Sequence, residues 1–237
     1  MSDTIAFLLD GKEVLAAKGR TILEAAEAAG TYIPRLCFMK GLLPFGSCRV
    51  CTVLVNGRPQ AACTQPVAPG IVVESDTEEI KNIRKKIIEL LFVEGNHFCM
   101  SCEKSGNCEL QALAYRFGIC APTLPYQLPQ RELDASHPDV FLDRNRCILC
   151  GRCVRSSQEL DGKHVFQFVG RGSKKKIAVN AKAKLADTEL SATDKAAAAC
   201  PVGAILRKRT GFMVPIGKRL FDVNPIGTDI ESARATK

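Results

Sequence analysis

The chain has 237 residues and a formal charge of +8, from 33 basic and 25 acidic side chains, and it contains 12 cysteines. Its N-terminus lacks the basic start and apolar run of a secretion signal, and no stretch approaches the roughly 20 apolar residues that span a bilayer. We therefore expect neither a secreted disulfide scaffold nor direct membrane insertion, and the cysteine content favours a cytoplasmic protein whose cysteines bind metal.

The first predicted elements are two strands and a helix. Residues 5–17 predict a β-hairpin in which Asp10-Gly11 forms the two-residue turn between apolar strands. A helix follows, because Thr21 and Glu24 make a capping box ahead of a run of apolar residues. This order of elements indicates an α+β unit at the start of the chain.

The same unit continues with a strand over residues 50–55, a turn at Asn56-Gly57 and a closing strand at residues 71–74. It also contains the first set of cysteines: Cys37, Cys48, Cys51 and Cys63. Thiolates in a Cys-x2-Cys turn can ligate the same cluster or metal ion. The alternative is structural zinc, which we consider weaker because zinc sites usually combine two short Cys-x2-4-Cys pairs and only one occurs here.

Residues 1–78 as a whole resemble the β-grasp domain of the 2Fe-2S ferredoxins. The resemblance implies that the four cysteines ligate one 2Fe-2S cluster. Their spacing, Cys-x10-Cys-x2-Cys-x11-Cys, differs from the Cys-x4-Cys-x2-Cys of plant-type ferredoxins. It resembles instead the longer first loop of the large iron-sulfur subunit of respiratory NADH dehydrogenase and its hydrogenase relatives.

A long helix leads to the second set of cysteines. The sequence predicts it from about Asp76 to Glu94, with Ser75 and Glu78 as its cap and Gly95 after its end. It is followed by H-F-C-M-S-C-E-K-S-G-N-C, which contains three cysteines and a histidine, and then by a second amphipathic helix. We assign residues 79–119 to this short helical module.

The three thiols Cys99, Cys102 and Cys108 need a fourth ligand to complete a closed 4Fe-4S site. His97, Cys120 and solvent are the candidates, and we favour His97 because it lies two residues before Cys99, whereas a helix separates Cys120 from the set. The site resembles the 4Fe-4S site of the NADH dehydrogenase and hydrogenase families, whose ligands are one histidine and three cysteines. In the dehydrogenases the histidine generally precedes the first cysteine by four positions.

Residues 120–140 predict an extended linker, because they contain four prolines and no hydrophobic periodicity. His137 and His164 have no cysteine neighbours, so we expect them to be ordinary surface or core residues.

The last cysteine set begins in D-R-N-R-C-I-L-C-G-R-C and ends in A-A-A-A-C-P-V-G-A-I. Bacterial ferredoxins have the pattern Cys-x2-Cys-x2-Cys-x3-Cys-Pro, in which the Cys-Pro thiolate ligates the other cluster. The pattern predicts one 4Fe-4S cluster with four cysteine ligands, Cys147, Cys150, Cys153 and Cys200. Ser156 or Ser157 stands where a second cluster would need a cysteine, and two strands are inserted between the ends of the module. The module covers residues 141–210, and residues 211–237 form a basic arm expected to bind a partner.

The sequence contains no dinucleotide-binding glycine loop, no P-loop and no catalytic triad, so we expect no catalytic site. No known nucleic-acid-binding motif accompanies the basic residues, and nucleic acid is therefore not an expected partner. One 2Fe-2S and two 4Fe-4S clusters in an α+β chain instead predict a one-electron relay.

The order of the three sites covers nearly the whole chain and resembles the N-terminal part of the large iron-sulfur subunit of NADH dehydrogenase. The phrases E-G-N-H-F-C, C-E-K-S-G-N-C and C-P-V-G-A-I resemble still more closely the iron-sulfur (diaphorase) small subunit of soluble NAD-reducing NiFe-hydrogenases. That family implies a flavoprotein diaphorase subunit and the small and large hydrogenase subunits as partners. FMN, NAD and the NiFe centre would then belong to the partners only, and electrons would pass between NADH and H2.

The sequence also suggests other functions. A respiratory subunit is expected to continue into a large molybdopterin-enzyme-like domain, and an iron-only hydrogenase into a catalytic cysteine domain; the residues after Cys200 leave room for neither. A subunit of an NAD-dependent formate dehydrogenase would differ mainly in its partner. A zinc-stapled interaction protein is the alternative without redox chemistry.

Overall fold

Residues 4–235 are described by the computed structural model of the chain. Residues 1–3 of the predicted first domain and residues 236–237 of the predicted arm lie outside the described residues. The strands are β1 (Thr4–Leu9), β2 (Lys12–Ala17), β3 (Thr52–Val55), β4 (Arg58–Ala61), β5 (Val72–Glu74), β6 (Leu133–Asp134), β7 (Val140–Asp143), β8 (Phe166–Val169), β9 (Lys176–Val179) and β10 (Ile205–Arg207). The α-helices are α1 (Ile22–Ala28), α2 (Glu78–Val93), α3 (Glu109–Arg116), α4 (Arg152–Arg155), α5 (Lys195–Ala198), α6 (Leu220–Val223) and α7 (Thr228–Ala235).

The N-terminal sheet has the strand order β2-β1-β5-β3-β4, with β1 and β5 parallel and the other neighbours antiparallel. Both predicted hairpins are confirmed. Asp10 and Gly11 have φ angles of 49° and 76°, and Asn56 and Gly57 have 48° and 75°, which are the left-handed values that a two-residue hairpin turn requires. The mixed helix and sheet content agrees with the predicted α+β class.

Helix α1 begins as its sequence predicts, whereas the start of α2 differs from the prediction. The Thr21 hydroxyl accepts a hydrogen bond from the backbone N–H of Glu24, which confirms the capping box. Helix α2 is capped by Thr77, and the prediction of Ser75 as its cap is wrong. Ser75 instead donates its N–H and hydroxyl to the carboxylate of Asp10, at 2.6 and 2.7 Å, and so ties the first hairpin turn to this segment.

The predicted linker 120–140 contains strand β6 near its end. Strand β6 pairs with β7, which in turn pairs with β10, so this part of the chain belongs to a three-stranded sheet. His137 is buried: its ring binds the carbonyl of Leu190 through Nε2, and its Nδ1 accepts the backbone N–H groups of Asp139 and Val140. The two predicted inserted strands are confirmed as the hairpin β8-β9.

Two hydrophobic cores organise the chain. The first lies under the N-terminal sheet and includes Cys51 and Cys63. The second runs from the loop with Cys37 and Cys48 through α2 and α3 into the C-terminal module. The first cysteine set therefore lies where the two cores meet. None of the helices within residues 4–235 combines the length and the hydrophobicity needed to cross a membrane.

Candidate metal centres

The four cysteines of the N-terminal set converge at the boundary of the two cores. The turn between Cys48 and Cys51 passes through Arg49, whose φ of 59° is left-handed and reverses the chain within three residues. The backbone N–H of Cys37 points at the Cys48 sulfur, at 3.3 Å. All four side chains are buried, so the set is closed to solvent.

The pKa values of these thiols reflect how near the sulfurs are to one another. Hydrogen bonds from the thiols of Cys48 and Cys63 lower the pKa of Cys37 to about 2. The pKa of Cys63 is raised because its thiol donates to Cys37 and to Cys51, and burial adds to the effect. Four thiols linked in the order Cys48–Cys37–Cys63–Cys51, with a backbone N–H aimed at one of the sulfurs, are a donor set whose chemistry suits a thiolate-ligated cluster.

The central loop, residues 97–108, contains the second set. A short 3-10 turn spans Cys99–Ser101, and Cys108 stands at the N-cap of α3, so helix and turn bring the three thiols together. Burial raises the pKa of Cys108 to about 12, and the nearby thiols of Cys102 and Cys99 contribute to that rise. Cys99 and Cys102 are only half-buried, so this set opens towards the surface.

His97 and Cys120, the two protein candidates for the fourth ligand of the central set, differ in burial. Burial, together with the cation of Arg146, lowers the pKa of His97 to about 4, so its ring is neutral at physiological pH. Its Nε2 atom is buried and has no hydrogen-bond partner, and the ring packs edge-on against Phe92. Cys120 is exposed, unlike the other 11 cysteines, which are buried or half-buried.

The third set lines the C-terminal pocket, which we define as the cavity bounded by the thiols Cys147, Cys150, Cys153 and Cys200. The remaining wall is almost wholly apolar, with Leu142, Ile177 and Val202 among its side chains. Burial raises the pKa of Cys147 to about 11, and it also raises the pKa of Cys150 and Cys153. Thiolates in such a pocket need positive charge to neutralise them, which iron ions would supply.

Two buried serines stand where the bacterial-ferredoxin pattern would need a cysteine for a second cluster. Ser156 and Ser157 are fully buried in the turn after α4. The Ser157 hydroxyl accepts the backbone N–H of Val165 at 2.7 Å, so it ties the start of the β8-β9 insertion to α4.

Buried arginines join the sites to one another, although no sequence pattern considered above predicts their contacts. Arg152 binds both carboxylate oxygens of Glu109, at 2.5 and 2.7 Å, and the carbonyl of Phe38 at 2.9 Å. Arg155 donates to the carbonyl of Cys37 at 2.5 Å. The C-terminal module thus holds the backbone of the N-terminal set and the first residue of α3. The phrase C-G-R-C-V-R, with its two arginines beside ligand cysteines, was the available signal.

A third buried arginine, Arg84, lies beside the N-terminal cysteine set. It lies on α2 and donates to the carbonyls of Ser75 and Thr52, both at 2.8 Å. Burial lowers its pKa to about 10, while the nearby Cys51 acts in the opposite direction. The guanidinium stays charged at neutral pH and lies within electrostatic reach of that thiol.

Three protein families match successive parts of the chain. A 2Fe-2S iron-sulfur cluster binding domain matches residues 2–78, and the NADH-ubiquinone oxidoreductase-G iron-sulfur binding region matches residues 84–121. A 4Fe-4S single cluster domain matches residues 140–206. Each matched region contains one of the three cysteine sets.

Known proteins of similar sequence are subunits of redox enzymes. Subunit gamma of the NAD-reducing hydrogenase HoxS from Cupriavidus necator is 40% identical over 224 residues, which is 94% of this chain and 95% of that protein. Subunit alpha of the NADPH-Fe(3+) oxidoreductase from Geobacter sulfurreducens is 35% identical over 88% of this chain, but the match covers only 24% of that longer protein.

A solved structure has the same fold over almost its whole length. It is the crystal structure of an NAD+-reducing NiFe-hydrogenase in the H2-reduced state. The matching chain is 48% identical and superposes with a TM-score of 0.92, over 97% of this chain and 98% of that one.

Proposed function

The chain belongs to the family of subunit gamma of the NAD-reducing hydrogenase HoxS, and we propose that it is the electron-transfer subunit of such a complex. It relays electrons between a flavoprotein that binds FMN and NAD(H) and a NiFe-hydrogenase module, in support of H2 + NAD+ = NADH + H+. The chain is an oxidoreductase subunit and has no catalytic site of its own. We propose a cytoplasmic location, because cysteines that ligate clusters must stay reduced.

The proposal assigns one cluster to each cysteine set. A 2Fe-2S cluster takes Cys37, Cys48, Cys51 and Cys63, and the first 4Fe-4S cluster takes His97, Cys99, Cys102 and Cys108. The second 4Fe-4S cluster takes Cys147, Cys150, Cys153 and Cys200. When bound, these clusters supply reversible uptake of single electrons. The thiols ligate iron, the backbone N–H groups of Cys37 and Leu149 donate to ligand sulfurs, and the apolar wall of the C-terminal pocket excludes water.

The observation that carries this proposal is that the C-terminal module contacts both other cysteine sets. Arg155 donates to the carbonyl of Cys37, whereas Arg146 lies 3.7 Å from the sulfur of Cys102. In addition, the N–H of Glu109 donates to the carbonyl of Pro201, next to Cys200. We infer that electrons pass between the N-terminal and central sites through the C-terminal cluster, in either direction.

Partners would bind where the chain leaves apolar side chains uncovered. The segment 211–223 lies beside the central loop: Arg219 donates to Ser105, and the N–H of Leu220 donates to Asn107. Several of its large apolar side chains are exposed, namely Phe212, Met213, Val214, Ile216, Leu220 and Val223. This supports the predicted partner-binding arm. We propose the flavoprotein diaphorase subunit and the small and large hydrogenase subunits as partners.

Anaerobic purification of the complex from its source tests the proposal. We expect the chain to copurify with a flavoprotein and with NiFe subunits, to contain iron and acid-labile sulfide in equal amounts, and to give three cluster EPR signals after dithionite reduction. Copurification with respiratory subunits or with a formate-oxidising subunit would reassign the complex. A colourless, iron-free protein without an EPR signal would overturn the proposal in favour of a zinc-stapled interaction protein.

A further inference from the structure

One guanidinium group bridges the central loop and the C-terminal pocket. Arg146 directly precedes Cys147 in the chain, yet its Nη1 atom lies 3.7 Å from the sulfur of Cys102. The same nitrogen donates to the Glu103 carboxylate at 2.8 Å, and Nε pairs with Asp143 at 3.0 Å. The side chain is 20% exposed, so most of it is removed from water. It is held between residues that neighbour two different sets of ligands.

The backbone of the C-terminal module makes room for this contact. A Cβ atom on Gly203 would lie 2.7 Å from the sulfur of Cys102 and 3.4 Å from Nη1 of Arg146. Contacts under 3.0 Å essentially never occur for real Cβ atoms, so a side chain at this position would displace the thiol. The glycine lets the segment after Cys200 approach the central loop, and the Gly203 carbonyl lies 3.5 Å from Nη1 of Arg146.

The charge of Arg146 lies beside a ligand of the central loop. An arginine guanidinium is a cation at neutral pH, and the Nη1 atom of Arg146 lies 3.7 Å from the Cys102 sulfur. The ion pairs with Glu103 and Asp143 keep the guanidinium in this position. A fixed positive charge therefore lies close to one of the four ligands that the proposed function assigns to the central cluster.

We propose that Arg146 is a positioning residue that raises the reduction potential of the central cluster and holds it against the C-terminal module. This inference rests on the proposed function, because it needs a cluster in the central loop. Reduction adds one electron and therefore one negative charge to the cluster, and no proton transfer is required. A nearby cation stabilises the reduced form more than the oxidised form, and partial burial strengthens the interaction.

Two variants of opposite charge effect test the proposal in the purified complex. Arg146→Met removes the cation, and Glu103→Gln removes the carboxylate that offsets it. We expect the ratio of reduced to oxidised central cluster at a fixed potential to fall about tenfold in Arg146→Met. For a one-electron couple this corresponds to a reduction potential lower by about 59 mV, which an EPR-monitored redox titration measures. The ratio should rise in Glu103→Gln and lie between wild type and Arg146→Met in Arg146→Lys.

The matched control is Arg209→Met, which removes an exposed arginine of the same module whose partner is Asp139. It should leave the potential of every cluster unchanged. A merely structural role for Arg146 would move the Arg146→Met and Glu103→Gln potentials in the same direction or not at all, and either result overturns the proposal.

If Arg146→Met loses its central cluster, the redox titration of Glu103→Gln decides whether Arg146 sets the potential. Glu103→Gln changes only a carboxylate that is one-third exposed. An unchanged or lowered potential in Glu103→Gln rejects the role of Arg146. If the wild-type complex contains no iron in this chain, the proposed function itself fails, and the two failures are thereby distinguished.

Discussion

The central loop and the C-terminal pocket place their cysteines in different environments. In the pocket, three of the four cysteines are buried and an apolar wall surrounds the sulfurs. In the central loop, Cys99 and Cys102 are half-buried, and the neighbouring Phe98 and Met100 are 60% and 99% exposed. All four cysteines of the pocket belong to or pack against the second core, whereas the central loop contributes Cys108 to that core and leaves Cys102 outside it.

This difference separates two tasks of an electron relay. A cluster in the pocket would be shielded from water and linked to both other sites, so it suits transfer within the chain. A cluster in the loop would lie near the surface and beside the exposed segment 211–223, so it suits transfer to a partner. The environment, and not only the ligand set, therefore distinguishes two sites of the same cluster type.

The largest expected effect is the loss of stability when the pocket loses one ligand. In Cys200→Ala, two buried thiols and the half-buried thiol of Cys147 would remain in an apolar cavity without a complete ligand set. We expect loss of one 4Fe-4S signal and a fall of more than about 4 kcal/mol in the free energy of unfolding, as is typical when a buried metal site is lost. Iron analysis and denaturant unfolding under anaerobic conditions measure both.

The matched variant in the loop is Cys99→Ala. It should lose the central cluster at a much smaller cost in stability, because this cysteine is half-buried and borders solvent. Equal losses of stability in the two variants would remove the distinction between an enclosed and an open site.

The grouping of Cys147, Cys150, Cys153 and Cys200 around one cavity was far more predictable from the sequence than the contacts between the cysteine sets. The Cys-x2-Cys-x2-Cys run and the distant Cys200-Pro201 follow a known spacing, because iron geometry restricts where thiolates can stand along a turn. Hairpin turns and the capping box at Thr21 were likewise predicted, since their backbone requirements are local. The cap of α2 was not, because a long-range partner, Asp10, takes the Ser75 hydroxyl.

Contacts between modules depend on how separate segments pack, and no local pattern specifies that packing. The sequence places Arg152 between two cysteines but does not show that its partner is Glu109, 43 positions earlier. Strand β6 was missed for the same reason: its two residues are strand-like only because β7 lies beside them.

A smaller loss of stability is expected when a contact between the modules is removed. Arg152→Met removes the two hydrogen bonds to Glu109 and the one to the Phe38 carbonyl. The arginine side chain is 7% exposed, but Glu109 is 27% exposed and can be partly rehydrated. We therefore expect a loss of about 1–3 kcal/mol in the free energy of unfolding, with all clusters retained.

Double-mutant analysis with Glu109→Gln should show coupling between the two residues, measured as non-additive losses of stability. The exposed pair Arg209–Asp139, with side chains 73% and 50% exposed, should show a coupling of about 0–1 kcal/mol. Strictly additive effects of the Arg152 and Glu109 variants would mean that their ion pair does not join the modules.

The subtlest change should alter only the potential of the open site. His97→Cys replaces a neutral ligand by a thiolate at a position where the ring is neutral and its Nε2 is buried without a partner. The added negative charge disfavours reduction, so the potential of the central cluster should fall by about 100 mV or more while the stability changes little. Redox titration followed by EPR measures the shift, and the signals of the other two clusters serve as internal references.

Cys120→Ser is the control, because this exposed thiol has no place in any of the three sets and its loss should leave every signal intact. If Cys120→Ser loses the central cluster while His97→Cys leaves its potential unchanged, the fourth ligand is Cys120, and the loop must rearrange on cluster binding to bring that residue in from the surface.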